Sequence, residues 1–254
     1  MTLMATIGLI GSGHIGSAVA GLAVAAGYDV VLSNSRGPET LKELVSDLGP
    51  RARAATPAEA AAAGDLVVLT IPFKAHRNVP VEPLAGKTVI DTNNYYPDRD
   101  GLFPEIEDGT TTVSALIQQH LPTSYVVKAF NNIFFQHLAS LRRPAGALDR
   151  SAIAIAGDDA NAKTAVTEFL DRIGYDTVDV GPLSEDWRFR VDTPAYGVPY
   201  GDGRKEFWAS HPDPANAEQL RSLLAAAIED PGVRAGEVPE GYDHASGMVR
   251  PTGR

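Results

Sequence analysis

Three stretches of this sequence carry residue types that can do chemistry. The first is Gly11-Ser12-Gly13-His14-Ile15-Gly16, a G-x-G-x-x-G run. It follows an aliphatic strand-like stretch, Thr6–Ile10. It opens a segment, His14–Ala26, with Ile15, Val19, Leu22 and Ala26 at helical spacing, and Gly27 ends that segment. Asp29–Ser33 is a second strand. In this β-loop-α-β context the run is a dinucleotide site. Gly11 permits the tight turn, Gly13 lets a pyrophosphate approach the backbone, and Gly16 lets helix and strand lie close. His14 stands in the first helical turn, either as an exposed helix-start residue or as a cofactor contact.

The second stretch is the end of the second strand, Leu32-Ser33-Asn34-Ser35-Arg36. A site for NAD carries an acid here to accept from the ribose 2′-hydroxyl. This strand end has none. Hydroxyl donors and a guanidinium suit a 2′-phosphate instead, so Ser33, Asn34, Ser35 and Arg36 point to NADP(H). Glu39 lies beyond the turn and is placed to cap the following helix.

The third is Lys128-Ala129-Phe130-Asn131. It mimics the Lys-x-x-Asn pair of β-hydroxyacid dehydrogenases, but Lys128 closes a strand and does not sit on a helix past an interdomain helix. We read it as lining a wall. Other catalytic patterns are missing. No tyrosine has a lysine four residues on, and there is no G-x-S-x-G elbow. The six histidines show no metal-ligand spacing, so no metal is expected. With no cysteine, disulfides and thiolate chemistry are excluded. Carbonyl reduction needs a proton donor. Hydride exchange between two cofactor rings needs mainly alignment and exclusion of water. The missing acid therefore favours a redox cofactor as second substrate, while Tyr, His or Lys of the last segment stays open as a donor.

The elements around these residues alternate. Strands are expected at Leu66–Ile71, Thr88–Asp91, Ser124–Ala129, Ala152–Gly157 and Asp176–Val180. Helices are expected at Thr40–Leu48, after the capping box Thr56-Pro57-Ala58-Glu59, at Ser114–Leu121, and at Asp159–Ile173. A short strand is expected at Arg51–Ala55. This pattern implies an α/β, Rossmann-type doubly wound, mainly parallel sheet over residues 1–182. Residues 183–229 form a small C-terminal, substrate-side appendage, whose helix starts at Asp213-Pro214 and runs to Ile228. Residues 230–254 form a turn-rich tail. The net charge of −10 argues against a nucleic-acid partner. No apolar run is long enough to span a membrane, and the N-terminus lacks the basic region of a signal peptide. A cytoplasmic protein is expected.

In order, GLIGSGHIG, VVLSNSRGPETL, LVVLTIPFKA, DTNNYYP, VVKAFNNI, AIAGDD and DVGPLSEDWR resemble the coenzyme F420-dependent NADP oxidoreductase family over about residues 5–190. The cytosolic domains of the six-transmembrane metalloreductases are a related branch. The resemblance implies a homodimer with NADP(H) across the strand ends and the deazaflavin F420 stacked on the nicotinamide. It places the pyrophosphate on Gly11–Gly16, the 2′-phosphate on Ser35 and Arg36, and the adenosine and ribose beside Thr70, Ile71 and Pro72. Ala129, Phe130 and Asn131 are expected to face the nicotinamide, with Asn93 and Asn94 near the same edge. The segment after Gly181-Pro182-Leu183 departs from the family pattern, which leaves a flavin, a small imine or ketone, or a non-catalytic NADP(H)-binding role as alternatives. In that segment Arg188, Arg190, Arg204 and Lys205 form either a cationic rim or ordinary surface charge. Trp187, Tyr196, Tyr200 and Trp208 either stack on a planar ring or pack the segment on the sheet.

Overall fold

The computed structural model describes residues 5–203 and 207–227, and the backbone of two short strands, Tyr242–Asp243 and Met248–Val249, which pair antiparallel. The readings on Arg204, Lys205 and most of the tail lie outside the described residues.

The chain begins as the alternation requires. β1 (Thr6–Ile10), α1 (His14–Ala25), β2 (Asp29–Ser33), α2 (Lys42–Leu48), β3 (Ala52–Ala54), α3 (Pro57–Ala63) and β4 (Leu66–Leu69) make the first half. β5 (Thr88–Asp91), α4 (Pro97–Asp100), α5 (Pro104–Glu107), α6 (Val113–His120), β6 (Tyr125–Lys128) and α7 (Phe135–Ser140) follow. β7 (Ala152–Gly157), α8 (Ala160–Ile173), β8 (Asp176–Gly181) and α9 (Ala217–Ala225) complete it. The eight strands order as β3-β2-β1-β4-β5-β6-β7-β8. The order reverses beside β1, which pairs in parallel with both β2 and β4. A crevice must open there at the carboxyl ends of the strands, because the connections leave to opposite faces.

Local chemistry explains the boundaries. β4 is buried on both faces, as its LVVL composition demands of a central parallel strand. Thr56 and Glu59 form the reciprocal capping box, with Pro57 at the first helical position. Asp159 caps α8 through the Ala162 N–H, and Gly174 closes that helix in the left-handed region, φ 109°. Along α8, Ala162, Val166, Phe169, Leu170 and Ile173 form the buried stripe.

Three expectations need correction. The helix expected over Thr40–Leu48 begins as a 3₁₀ turn at Pro38–Leu41, with Glu39 in its first turn. The last helix is capped by Asn216, with a reciprocal Gln219, and not by Asp213-Pro214. Its own amide side chain reaches the Glu218 and Gln219 N–H groups, which proline at 214 does nothing to satisfy. The strand expected to run to Ile71 ends at Leu69, because Thr70 turns toward the crevice.

Strand direction is a further finding. β7 runs antiparallel to β6, while β8 is parallel to β7. A parallel return requires a crossover helix laid on the sheet. The helix between them, α7, has six residues and packs on α1 instead. The C-terminal segment then covers the end of the sheet. Phe189, Ala195, Leu220 and Leu224 pack on Ala152, Ala154, Ala156 and Val178.

Candidate functional site

The glycine loop has the geometry of a pyrophosphate cradle. Gly11 has φ +105°, and a Cβ there would stand 1.9 Å from the Thr70 carbonyl oxygen. A Cβ on Gly16 would meet the Gly11 oxygen at 2.6 Å. These two glycines hold β1, the loop and α1 against the end of β4. Gly13 differs, since a Cβ added there would meet nothing within 4 Å. It is the N-cap of α1, has no side-chain cap, and no acid follows in the first turn. The free N–H groups of a twelve-residue helix thus face open space, an arrangement that suits phosphate.

At the end of β2 the predicted residues divide. Ser33 is fully buried and its hydroxyl donates to the Leu9 carbonyl at 2.8 Å. Its own carbonyl accepts the Gly11 N–H at 3.0 Å. Ser33 therefore fixes the loop and does not present its hydroxyl to a ribose, which corrects its placement among the cofactor contacts. Asn34 Oδ1 accepts from the Arg36 and Gly37 N–H groups at 2.9 and 3.0 Å, and Nδ2 donates to Thr40 Oγ at 2.8 Å. That side chain builds the turn. Ser35 and Arg36 stand exposed on it, and among the described residues no ion pair engages Arg36. A guanidinium held out by a built turn has the charge and reach that suit a 2′-phosphate. If it serves so, Arg36→Ala weakens NADPH binding by about 10- to 100-fold, the range of a charge-assisted bond, and NADH by less than about twofold. Equal losses measured by fluorescence titration would remove Arg36 from the site.

The crevice continues as a cleft of about 370 Å³ over the strand ends. Its walls include Gly13, His14, Ile15, Thr70, Ile71 and Pro72 on one side and Asn93, Asn94 and Asn131 on the other. His14 is exposed and its ring stacks on Phe135, centroids 4.3 Å apart. Several wall residues escaped the sequence reading: Tyr96, Arg99, Asn132, Phe134, Phe135, Gly197 and Phe207. The NNYYP run after β5 was the available signal for Tyr96. Nothing local points to Phe207, which arrives from the far end of the chain.

The Lys128–Asn131 stretch is used differently from the expectation. Ala129 is buried in the core cluster and does not line the cleft. Phe130 has φ +63°, uncommon for a bulky residue and a local strain of roughly 1–3 kcal/mol. Its ring is buried against Phe169, so its backbone lines the cleft and its ring does not stack on a ligand. The reversal at Phe130 presents Asn131 and Asn132 to the cleft. Lys128 lies behind this wall. Its ammonium donates to Asp91 Oδ2 at 3.1 Å and to the Asn93 carbonyl. It lines a smaller cavity with Tyr95, Glu107, Val113, Asp186 and Trp187, so its wall-lining role belongs to that cavity.

That support is a buried charge network. The Ser114 hydroxyl donates to Asp91 Oδ2 at 2.7 Å, and the Ser114 N–H donates to Asp186 at 3.2 Å. Burial pushes the Asp186 carboxyl above the usual range, and the Lys128 ammonium opposes that shift.

The aromatics of the last segment also divide. Tyr200 is fully buried and its hydroxyl donates to the Ala152 carbonyl at 2.9 Å, so it packs the segment down. Tyr196 lines the cleft, with its hydroxyl 2.6 Å from that of Tyr96. The Arg99 guanidinium lies over the Tyr96 ring at 4.8 Å. Trp187 carries Arg188 over its face at 4.4 Å, and Arg188 is paired with Glu185 at 2.5 Å. Arg190 lines the smaller cavity. Trp208 lies edge-on to Phe207. Among the described residues no group of His, Asp and Glu could hold a metal, and no helix is long and apolar enough to cross a membrane.

The fold and the glycine loop define a dinucleotide-binding domain of the Rossmann type. Residues 6–95 match the model of the family described as NADP oxidoreductase, coenzyme F420-dependent. The metalloreductase STEAP3 of Rattus norvegicus is 28% identical over 182 residues, covering 70% of this chain and 34% of its own. This chain thus spans about a third of that relative's length. Among solved structures, a hypothetical protein from Sinorhizobium meliloti aligns at 26% identity and TM-score 0.66, over 76% of this chain and 93% of its own. A protein of Arthrobacter sp. FB24 given the name F420-dependent NADP-reductase aligns at 24% identity and TM-score 0.61, over 72% of this chain and 87% of its own. The latter likeness is one of fold.

Proposed function

We propose that this protein exchanges hydride between NADPH and the deazaflavin coenzyme F420. The observation that carries the proposal is the cleft at the strand ends, walled by Phe134, Tyr96, Tyr196 and Phe207 and continuous with the glycine loop. Its aromatic walls suit a planar ring laid against the nicotinamide. When bound, NADPH supplies the hydride. The chain's own part is to orient and to exclude water: Gly13 and the N-terminus of α1 take the pyrophosphate, and Arg36 takes the 2′-phosphate. The Asn93, Asn94 and Asn131 wall faces the reacting end. The ring nitrogen of F420 that gains a proton takes it from solvent, so no buried acid is required. Mixing NADPH, F420 and catalytic amounts of protein is expected to bleach the F420 absorbance. A protein that binds NADPH yet leaves that absorbance unchanged at every pH sinks the proposal.

The Tyr96–Tyr196 hydroxyl pair favours a second reading, an NADPH-dependent reductase of a small imine or ketone. Arg99 over the Tyr96 ring stabilises a developing phenolate, which suits a proton donor. The double variant Tyr96→Phe with Tyr196→Phe separates the two. Loss of such a donor lowers imine or ketone turnover by about 100-fold. Exchange with F420 is expected to change by less than about threefold, because that reaction needs no acid from the wall.

A further inference from the structure

The cleft over the strand ends is electrically unlike the rest of the protein. The chain carries a net charge of −10. Yet among the described residues that line the cleft none is acidic, and Arg99 is the one permanent cation. Under the proposed function the anionic parts of the cofactor already have receivers: the N-terminus of α1 takes the pyrophosphate and Arg36 the 2′-phosphate. Arg99 is left over. It stands at the aromatic part of the cleft, with its guanidinium over the Tyr96 ring.

Arg99 is built into place. Its Nε and Nη2 donate to the two carboxylate oxygens of Asp100 at 3.0 and 2.7 Å, and Nη2 also donates to the Asn94 carbonyl at 2.7 Å. The Asp100 side chain is fully buried, while that of Arg99 is 22% exposed. The same carboxylate accepts the Lys74 and Tyr96 N–H groups at 3.3 and 3.0 Å, which ties the guanidinium to two stretches of backbone. Three of the five guanidinium N–H groups are spent in this way. The two on Nη1 make no hydrogen bond among the described residues. Lys74 adds an exposed ammonium 2.9 Å from the Arg99 carbonyl, and Asp98, also exposed, is not part of the cleft wall. A guanidinium already locked in one geometry loses little freedom when it receives an oxyanion, and the bonds it then makes are charge-assisted.

We propose that Arg99, held out by Asp100, receives an oxyanion of the second substrate through its two Nη1 N–H groups. On the F420 reading, on which this inference rests, that oxyanion is a phosphate or carboxylate of the F420 side chain. The other arginines weighed for such a rim are placed elsewhere: Arg188 is paired with Glu185, and neither it nor Arg190 lines this cleft. The loop after β5 supplies the cation instead.

The test compares F420 with the same deazaflavin carrying only its ribityl chain, which has no phosphate or carboxylate, each with saturating NADPH. In Arg99→Gln the ratio of KM for F420 to KM for the truncated deazaflavin is expected to rise about tenfold or more over the parent protein, the scale of a charge-assisted bond. Both acceptors meet the same variant, so a disturbed frame moves the two values together and only a lost contact to the side chain separates them. NADP⁺ binding by calorimetric titration is expected to stay within about threefold of the parent. A second measurement needs no variant: in the parent protein, added salt is expected to raise KM for F420 and to leave KM for the truncated acceptor nearly constant. An unchanged ratio in Arg99→Gln overturns the proposal; if NADP⁺ binding weakens about tenfold at the same time, the guanidinium serves the cofactor's pyrophosphate instead. Equal salt responses of the two acceptors overturn it as well. A parent protein that reduces neither deazaflavin fails the F420 reading itself, a distinct result that takes this inference with it.

Discussion

Gly13→Val is expected to lower NADPH affinity at least about 100-fold, roughly 3 kcal/mol, while leaving the fold intact. The two effects separate because of where the added carbons go. A Cβ at Gly13 meets no protein atom within 4 Å, and its φ of −73° is one any residue adopts. The protein should therefore lose no more than about 1 kcal/mol of stability, the scale of a poorer N-cap. The space it enters is where the pyrophosphate must approach the free N–H groups of α1. Gly11→Ala gives the opposite pattern: its Cβ would collide with the Thr70 carbonyl at φ +105°, so the melting temperature falls before binding can be assessed. Titration and thermal unfolding of both variants check this. A Gly13→Val protein that binds NADPH within threefold of the parent, roughly 0.7 kcal/mol, would mean the pyrophosphate does not cross this helix end.

The second large effect is one of stability. Lys128→Met is expected to cost about 3–5 kcal/mol in urea unfolding. The Lys128 and Asp91 side chains are 3% and 0% exposed, so the methionine leaves a carboxylate buried without its counter-charge. Asp186 loses the same neighbour, and the Asn93 carbonyl loses a donor. Adding Asp91→Asn to Lys128→Met should recover a large part of the loss, because an amide can stay buried on the Ser114 hydroxyl without charge. A loss below about 1 kcal/mol for the single variant would show that the pair is solvated and does not support the wall. The outcome bears on function as well. Lys128 held by Asp91 positions the Asn93 backbone; it does not reach the cleft as a proton donor would.

Much of this protein was determined locally and so was legible in the sequence. Gly11, Gly13 and Gly16 announce a strand-turn-helix because only glycine meets three separate demands there: a positive φ, an open approach, and close packing. The capping box at Thr56 and Glu59 and the buried stripe of α8 are likewise properties of a few neighbouring residues. The acid-free turn to Arg36 is local too. The structure divides its residues: Ser33 and Asn34 build the turn, and Arg36 stands exposed on it.

What the tertiary structure decided depends on residues far apart in the chain. That β7 runs against β6 follows from α7 packing on α1, a preference no periodicity encodes. Which way the Phe130 ring points was set by Phe169, and the strain it carries by the need to aim Asn131. Tyr96 and Tyr196 meet at 2.6 Å across 100 residues of sequence, and Asn131 finds the Phe189 carbonyl across 58. Their bonds form only when the last segment folds back over the strand ends. A hydrogen bond's partner, unlike a helix cap, is chosen by the whole fold.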